Sequence, residues 1–115
     1  MARSGTARLP ADAAPVFAAL GDPTRLRLVA RLCDGGPLSI SRLAEGVDMS
    51  RQAATKHLQA LEGAGIVRSA RAGRERIWQV RTARLTEMRD YLQQISDHWD
   101  AALARLRREV ETDDT

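Results

Sequence analysis

The sequence predicts a mainly α-helical protein with one small β-hairpin, and three observations predict this fold class. Four segments before Gly65 place apolar residues at the three- and four-residue spacing of a helix. Two short segments rich in strand-forming residues follow, separated by a loop that contains a glycine. A heptad repeat then fills the last quarter of the 115-residue chain. The order ααααββα has the size of one domain, which we expect over residues 12–110, with disordered tails at 1–11 and 111–115.

Breaks in the chain delimit the first three helices. Residues 13–20 predict the first helix, and the run Gly21-Asp22-Pro23-Thr24 ends it and begins the second. Because aspartate caps helices and proline is tolerated at the first position, the second helix is expected to extend from Pro23 to about Cys33. Its inward residues are predicted to be Leu26, Val29 and Leu32. After a Gly-Gly-Pro break, the third helix is expected from Ile40 to about Val47.

The fourth predicted helix, residues 51–64, has an unusual exposed face. Ser50 is predicted to cap it and Gly65 to end it. One face is apolar and consists of Ala54, Leu58 and Leu61. The opposite side combines amides, a hydroxyl, an ammonium group and small residues, namely Gln52, Ala53, Thr55, Lys56, Gln59, Ala60 and Gly63. Since only a tight turn at 48–50 separates them, the third and fourth helices are expected to form a helix-turn-helix.

The hairpin follows this helix directly. Residues 66–70 and 76–80 predict two strands, and the intervening loop 71–75 places Gly73 where a turn needs it. A hairpin in this position is a wing. Trp78 alternates with Val80 along one strand face, so we expect it to belong to the core of the wing.

The last predicted helix, residues 83–109, carries the heptad repeat. Leu85, Leu92, Trp99 and Leu106 are spaced by seven, with Met88, Ile95 and Ala102 between them. Such a helix is roughly 40 Å long. A compact domain of this size has a radius of gyration of only about 14 Å, so it cannot cover the whole seam. We therefore expect a partner helix, most simply from a second copy of the chain.

Charge is distributed unevenly along the chain. Residues 51–84 contain eight basic and two acidic residues, whereas residues 85–115 contain four basic and eight acidic ones. A surface that binds a polyanion is therefore expected in the middle of the chain. Seventeen arginines against one lysine suit bidentate phosphate contacts, although a G+C-rich genome would produce the same bias.

Other features of the sequence indicate where in the cell the protein is expected. No segment has the eighteen or more consecutive apolar residues of a membrane span, and the N-terminus lacks the apolar run of a signal peptide. The single cysteine, Cys33, allows no intrachain disulfide and is expected to be a buried structural thiol. These observations predict a soluble cytoplasmic protein.

Four motifs, in this order and spacing, resemble the ArsR/SmtB family of bacterial winged-helix repressors. They are Ala-Leu-Gly-Asp-Pro-Thr-Arg-Leu-Arg at 19–27, Ser-Arg-Gln-Ala-Ala-Thr-Lys-His-Leu at 50–58, Leu-Glu-Gly-Ala-Gly-Ile-Val at 61–67 and Gly-Arg at 73–74. The resemblance implies a homodimer built on the first and last helices that binds an imperfect inverted repeat of double-stranded DNA. The predicted interface residues are Phe17, Leu85, Met88, Leu92, Ile95, Trp99 and Leu106.

The resemblance also gives the exposed face of the fourth helix a role in the major groove. Small residues let a helix approach the groove floor, and polar ones read base edges. The predicted contacts are Ser50, Arg51, Gln52, Thr55, Lys56 and Gln59 on the helix. On the wing, Arg71, Arg74 and Arg76 are expected to meet phosphates or the minor groove. We interpret His57 as a packing residue or a phosphate contact.

Metal sensing is not expected, although many members of the family bind metals. Where those proteins carry a cysteine pair before the recognition helix, this chain has Ser39 and Ser41, which are poor ligands for soft metals. In the last helix, Asp97 and His98 are neighbours about 100° apart, and no second histidine follows. We therefore predict no metal or other cofactor. A small organic or redox effector, or none, remains open.

Two other functional classes compete with DNA binding. Catalysis is not expected, because neither histidine has a nucleophile at a diagnostic spacing and no glycine-rich phosphate loop is present. A winged helix used for protein–protein contact is the alternative, but the basic middle segment favours DNA. Activation of transcription is an open alternative to repression.

Overall fold

The computed structural model describes residues 13–113, with side chains to Thr112. It confirms the mainly helical fold with a hairpin, and the predicted tail 1–11 lies outside the described residues. The elements are α1 (Ala13–Leu20), α2 (Pro23–Gly35), β1 (Leu38–Ser39), α3 (Ile40–Gly46), α4 (Arg51–Gly63), β2 (Val67–Ala72), β3 (Glu75–Val80) and α5 (Thr82–Asp113).

Side-chain caps begin three of these helices. The Asp22 carboxylate accepts the Arg25 backbone N–H at 3.0 Å and starts α2, while Ser39 accepts from Arg42 at 3.3 Å and starts α3. Ser50 accepts the Ala53 backbone N–H at 3.1 Å and starts α4, as predicted. Each cap satisfies an amide that the first turn of a helix leaves without an intrahelical partner. The chain leaves α4 through Gly65 at φ 81°, a conformation that suits glycine.

The sheet contains one strand more than the sequence predicts. Its order is β1-β3-β2, all antiparallel, and β1 pairs Leu38 with Trp78. The wing is also tighter than expected, since Ala72 pairs with Glu75 and only two residues form the turn instead of five. Gly73 lies first in that turn at φ 66°. A positive φ there produces a twist that matches the strands, so that pairing continues to the tip.

The described residues from Ala13 to Leu85 form one compact unit around a hydrophobic core. Its largest fully buried side chains include Leu28, Leu43, Leu58, Leu61, Ile66 and Trp78. Two predictions for α2 are wrong, because Leu26 is 51% exposed and Cys33 is exposed. The buried face of α2 consists of Leu28, Val29 and Leu32. At about 100° per residue, Leu26 lies about 160° around the helix from Leu28, and Cys33 about 100° from Leu32.

The described residues from Thr86 onward belong to a second compact unit whose boundary lies within α5, and the single domain at 12–110 stays a prediction. This helix is 32 residues long and continues through Asp113, because it contains no glycine or proline. The helix thus extends past the predicted boundary at 110, and the Thr112 hydroxyl donates to the Arg108 carbonyl at 2.8 Å. Residues 114–115 lie outside the described part of the chain.

The second unit leaves most of its heptad stripe uncovered. Its large exposed apolar residues are Leu92, Ile95, Trp99, Leu103, Leu106 and Val110, with Trp99 64% exposed. Met88 was predicted to belong to the same interface, but its side chain is 3% exposed within the single chain. Leu85 and Phe17 are half-buried.

Among the described residues, no helix combines the length and apolar character that crossing a membrane requires.

Candidate nucleic-acid interface

One face of α4 packs against the core, and this packing directs the opposite face toward solvent. Ala54, Leu58 and Leu61 are completely buried and anchor the helix to the core. The predicted contact residues Arg51, Gln52, Lys56 and Gln59 are all exposed, and Thr55 is half-buried. The small residues Ala53 and Ala60 lie between these polar side chains. A helix with this surface can approach another molecule closely while presenting amide and cationic donors.

Five of the predicted residues meet at the start of α4. They line an open hollow of about 710 Å³, formed by Ile40, Ser50, Arg51, Gln52, Ala53, Thr55 and Lys56. A helix N-terminus favours anions, because its amides point outward and the helix dipole is positive there. Two cationic side chains in the same hollow strengthen that preference. Gln59 lies further along the same exposed face.

Two hydroxyl groups in this hollow already have partners in the protein. The Ser50 Oγ accepts the Ala53 N–H, and the Thr55 hydroxyl donates to the Arg51 carbonyl at 2.7 Å. A hydroxyl has one proton, so Thr55 keeps only acceptor capacity and its methyl group for an incoming ligand. Ser50 keeps its proton and can still donate to a phosphate oxygen.

The three predicted wing arginines lie together at the tip of the hairpin. Arg71 and Arg76 are direct cross-strand partners, and Arg74 occupies the turn. All three are exposed. Like charges directly opposite each other destabilise a strand pair, so a bound polyanion would offset a cost that the free hairpin carries.

The arginines of the hairpin differ in their partners. Arg76 Nη1 donates to the Ser69 hydroxyl at 2.8 Å, and that hydroxyl donates to Glu62 at 3.0 Å. On the other face of the hairpin, the Gln79 amide lies against the Arg68 guanidinium, and its oxygen accepts from that guanidinium when the amide is oriented to satisfy both groups. No role for Ser69 or Glu62 follows from the sequence alone. No local sequence pattern could have revealed the hydrogen bond between Ser69 and Glu62, because it depends on how the end of α4 packs against β2.

His57 connects α4 to the start of α2. Its Nδ1 accepts from Arg25 Nε at 3.2 Å and lies 4.0 Å from the Asp22 carboxylate. This packing role is one of the two interpretations of His57 made from the sequence. The pKa of Asp22 is lowered from 3.8, chiefly because its carboxylate accepts the Arg25 backbone N–H; partial desolvation opposes the shift, and nearby positive charge assists it.

Candidate metal ligands remain apart. Among the described side chains, no group of three or more His, Cys, Asp or Glu residues is arranged to hold a metal ion. Asp97 accepts a hydrogen bond from Gln93 at 3.0 Å, and its neighbour His98 is exposed.

Comparison with known proteins gives consistent matches. Residues 20–70 match a family model described as a helix-turn-helix domain. The chain is 34% identical over 99 residues to the HTH-type transcriptional regulator Rv2034 of Mycobacterium tuberculosis, covering 84% of this chain and 89% of that protein.

Two solved structures share the fold along most of the chain. An ArsR-like transcriptional regulator from Rhodococcus sp. RHA1 is 39% identical with a TM-score of 0.72, covering 85% of this chain and 92% of that one. The crystal structure of an ArsR family transcriptional regulator is 32% identical with a TM-score of 0.71, covering 83% and 97%.

Proposed function

This chain belongs to the ArsR family of winged helix-turn-helix transcriptional regulators, and we propose that it acts as a homodimeric repressor. In this proposal α4 enters the major groove of an inverted-repeat operator, and the wing contacts the flanking backbone. The observation that carries it is the exposed face of α4, which is rich in small residues and has a cationic hollow at its capped end.

The side chains of α4 suit both reading base edges and binding phosphates. Gln52 can form paired hydrogen bonds with adenine, and Lys56 or Arg51 can donate to guanine or to a phosphate. Ser50 and the amides of the first turn fit a phosphate at the groove edge. Ala53 and Ala60 supply clearance. We infer that the wing adds phosphate contacts through Arg71 and Arg74, which fix the position of the protein along the duplex.

Dimerisation is inferred from the uncovered stripe of α5. A 32-residue helix is about 48 Å long, and its apolar residues stay exposed from Leu92 to Val110. Exposed apolar stripes of this extent are typical of protein interfaces. A second copy carries the same stripe, so a two-fold arrangement covers both at once. Two recognition helices related by a two-fold axis then read two half-sites about 34–36 Å apart.

The proposed role is that of a regulator, with no enzymatic step. It places the protein in the cytoplasm of a bacterial cell, bound to the nucleoid. It requires no cofactor, and release from DNA follows either from the amount of protein or from a small organic or redox effector.

The test is fluorescence anisotropy with the duplex from upstream of the protein's own gene and with a scrambled duplex, across a salt series. We expect a preference of about a hundredfold for the native duplex. Each phosphate contact contributes about 0.9 to the log–log salt slope, so several contacts per subunit should give roughly −5 to −9. The double variant R51A/K56A is the matched control and should lose the preference. Equal, weak binding of the wild-type protein to both duplexes would contradict the proposal for this operator.

A further inference from the structure

A chain of two hydrogen bonds joins the wing to the end of the recognition helix. Arg76 in β3 donates to the Ser69 hydroxyl in β2 at 2.8 Å. The same hydroxyl donates to the Glu62 carboxylate in the last turn of α4 at 3.0 Å. Ser69 therefore uses its single proton toward Glu62 and a lone pair toward Arg76, so the direction of both bonds is determined. We call these three residues the wing relay.

The wing relay lies in the hairpin between the buried Trp78 and the turn. Ser69 pairs across the ladder with Trp78, which is 2% exposed and belongs to the core. Arg76 pairs with Arg71, and only the pair Ala72–Glu75 lies beyond it before the turn. The relay thus occupies the boundary between the part of the hairpin anchored by Trp78 and the exposed part that carries the tip arginines.

Glu62 is in an unfavourable place for a carboxylate unless it has a partner. The C-terminal end of a helix carries partial negative charge, which repels an acidic side chain in the last turn. Near a DNA-binding surface, Glu62 would also repel phosphates. The Ser69 hydroxyl donates to it directly, and Arg76 supplies positive charge through that hydroxyl. These contacts give the exposed Glu62 carboxylate partners within the protein, in a surface segment that is otherwise strongly basic.

We propose that Glu62, Ser69 and Arg76 are positioning residues that hold the wing at a defined angle to α4. Arg71 and Arg74 then meet the phosphate backbone when α4 lies in the groove. Arg76, which the sequence suggested as a phosphate contact, acts by orienting its neighbours. The inference rests on the proposed DNA-binding function, since it states how α4 and the wing keep the relative orientation that DNA binding requires.

The sharpest test is the sign of the effect at Glu62. If the relay positions the wing, E62A weakens operator binding about three- to tenfold, while E62Q restores it because the amide oxygen still accepts from Ser69. If Glu62 only repels DNA, both variants tighten binding equally. E75A is the matched control, since it removes an acidic charge at the hairpin tip without touching the relay. Tighter binding by E62A would overturn the proposal.

The salt slope separates positioning from direct contact at Arg76. Removing one phosphate-binding side chain from each of the two subunits lowers the magnitude of the slope by about 1.8. We expect R76Q to weaken binding with the slope unchanged, and R74Q to reduce the slope. The double variant E62A/S69A should bind no more weakly than either single variant, because residues of one network are not additive. A reduced slope in R76Q, or additive effects at 62 and 69, would overturn the proposal.

A measurement without DNA keeps the relay testable if the operator proposal fails. Amide hydrogen exchange at residues 71–75 should become faster in E62A and S69A than in the wild-type protein, and stay unchanged in E75A and E62Q. Unchanged exchange in E62A and S69A would overturn the relay whatever the DNA result. Faster exchange combined with wild-type operator affinity would also overturn it, because positioning would then have no consequence for recognition.

Discussion

The unit that ends at Leu85 and the part of α5 that begins at Thr86 use the same kind of amphipathic helix with opposite outcomes. In α4, Leu58 and Leu61 are completely buried by the unit to which they belong. In α5, Leu92 and Leu106 are more than half exposed, although their spacing is equally regular. A helical apolar period therefore predicts which face is to be covered, but it does not reveal whether the cover comes from the same chain.

The two regions also differ in charge. Residues 51–84 are strongly basic and residues 85–115 are acidic. A basic surface attracts a polyanion, whereas an acidic helix repels it and leaves its apolar stripe to a protein partner. We therefore propose that the first region binds DNA and the second associates with a second copy of the chain, and the following experiments test that division.

The largest effect on folding is expected for L58A. Leu58 is completely buried, so truncation removes transfer free energy and leaves a cavity, and should lower the free energy of unfolding by about 2–5 kcal/mol. The matched control is L26A, where a leucine that is 51% exposed should cost about 1 kcal/mol or less. Urea unfolding of both variants measures the difference. Equal destabilisation would mean that burial within the unit does not distinguish the two positions.

The comparison predicts a different outcome for α5. The double variant L92E/W99E should stay folded by circular dichroism but sediment as a monomer, because charge on the stripe prevents its burial by a partner. The control A101E places the same charge on the opposite, exposed face of the helix and should remain dimeric. A dimer that survives both substitutions on the stripe would exclude it as the interface.

On the DNA-binding side, R51A and K56A should each weaken operator binding about ten- to a hundredfold, corresponding to about 1–3 kcal/mol per contact. Neither change should alter the sedimentation of the free protein. The control is R68A, since the Arg68 guanidinium is already held by Gln79 and should matter less. Anisotropy with the native duplex measures all three variants. An equally large effect of R68A would indicate a general charge effect in place of specific contacts.

A smaller effect is expected from the cap of α2. The pKa of Asp22 is lowered in the folded state, so its stabilising contribution is complete above about 3.8 and disappears as the pH falls through the lower folded value. D22N keeps an oxygen that can cap but does not titrate, so its loss of stability below pH 4 should be shallower than that of the wild-type protein. D22A removes the cap and should be less stable already at pH 7. Urea unfolding across pH measures both, and parallel acid profiles for D22N and the wild-type protein would contradict this explanation.

The smallest effect is expected at Cys33. Because the residue is exposed, C33S should change the free energy of unfolding by less than about 0.5 kcal/mol. The thiol of the native protein should also react with an aromatic disulfide reagent as fast as it does in urea. Slow reaction that accelerates on unfolding would restore the sequence-based prediction of a buried thiol.

Local chemistry explains which features could be predicted. Asp22 and Ser50 mark helix starts because a side-chain oxygen satisfies an amide within three residues, and Gly65 ends α4 because the left-handed conformation suits glycine. The polar face of α4 followed from helical periodicity alone. These interactions span one or two turns and depend on residues that are neighbours in the sequence.

The sequence by itself determined the order of the helices and the caps at Asp22 and Ser50, while the surfaces it assigns to DNA and to a partner stay predictions. Only the tertiary structure decided that Cys33 is exposed and that β1 joins the sheet. It also decided that Arg76 reaches Glu62 through Ser69. Each of these depends on contacts between elements distant in sequence, whose relative placement follows from packing of the whole core and not from the periodicity of any one helix or strand.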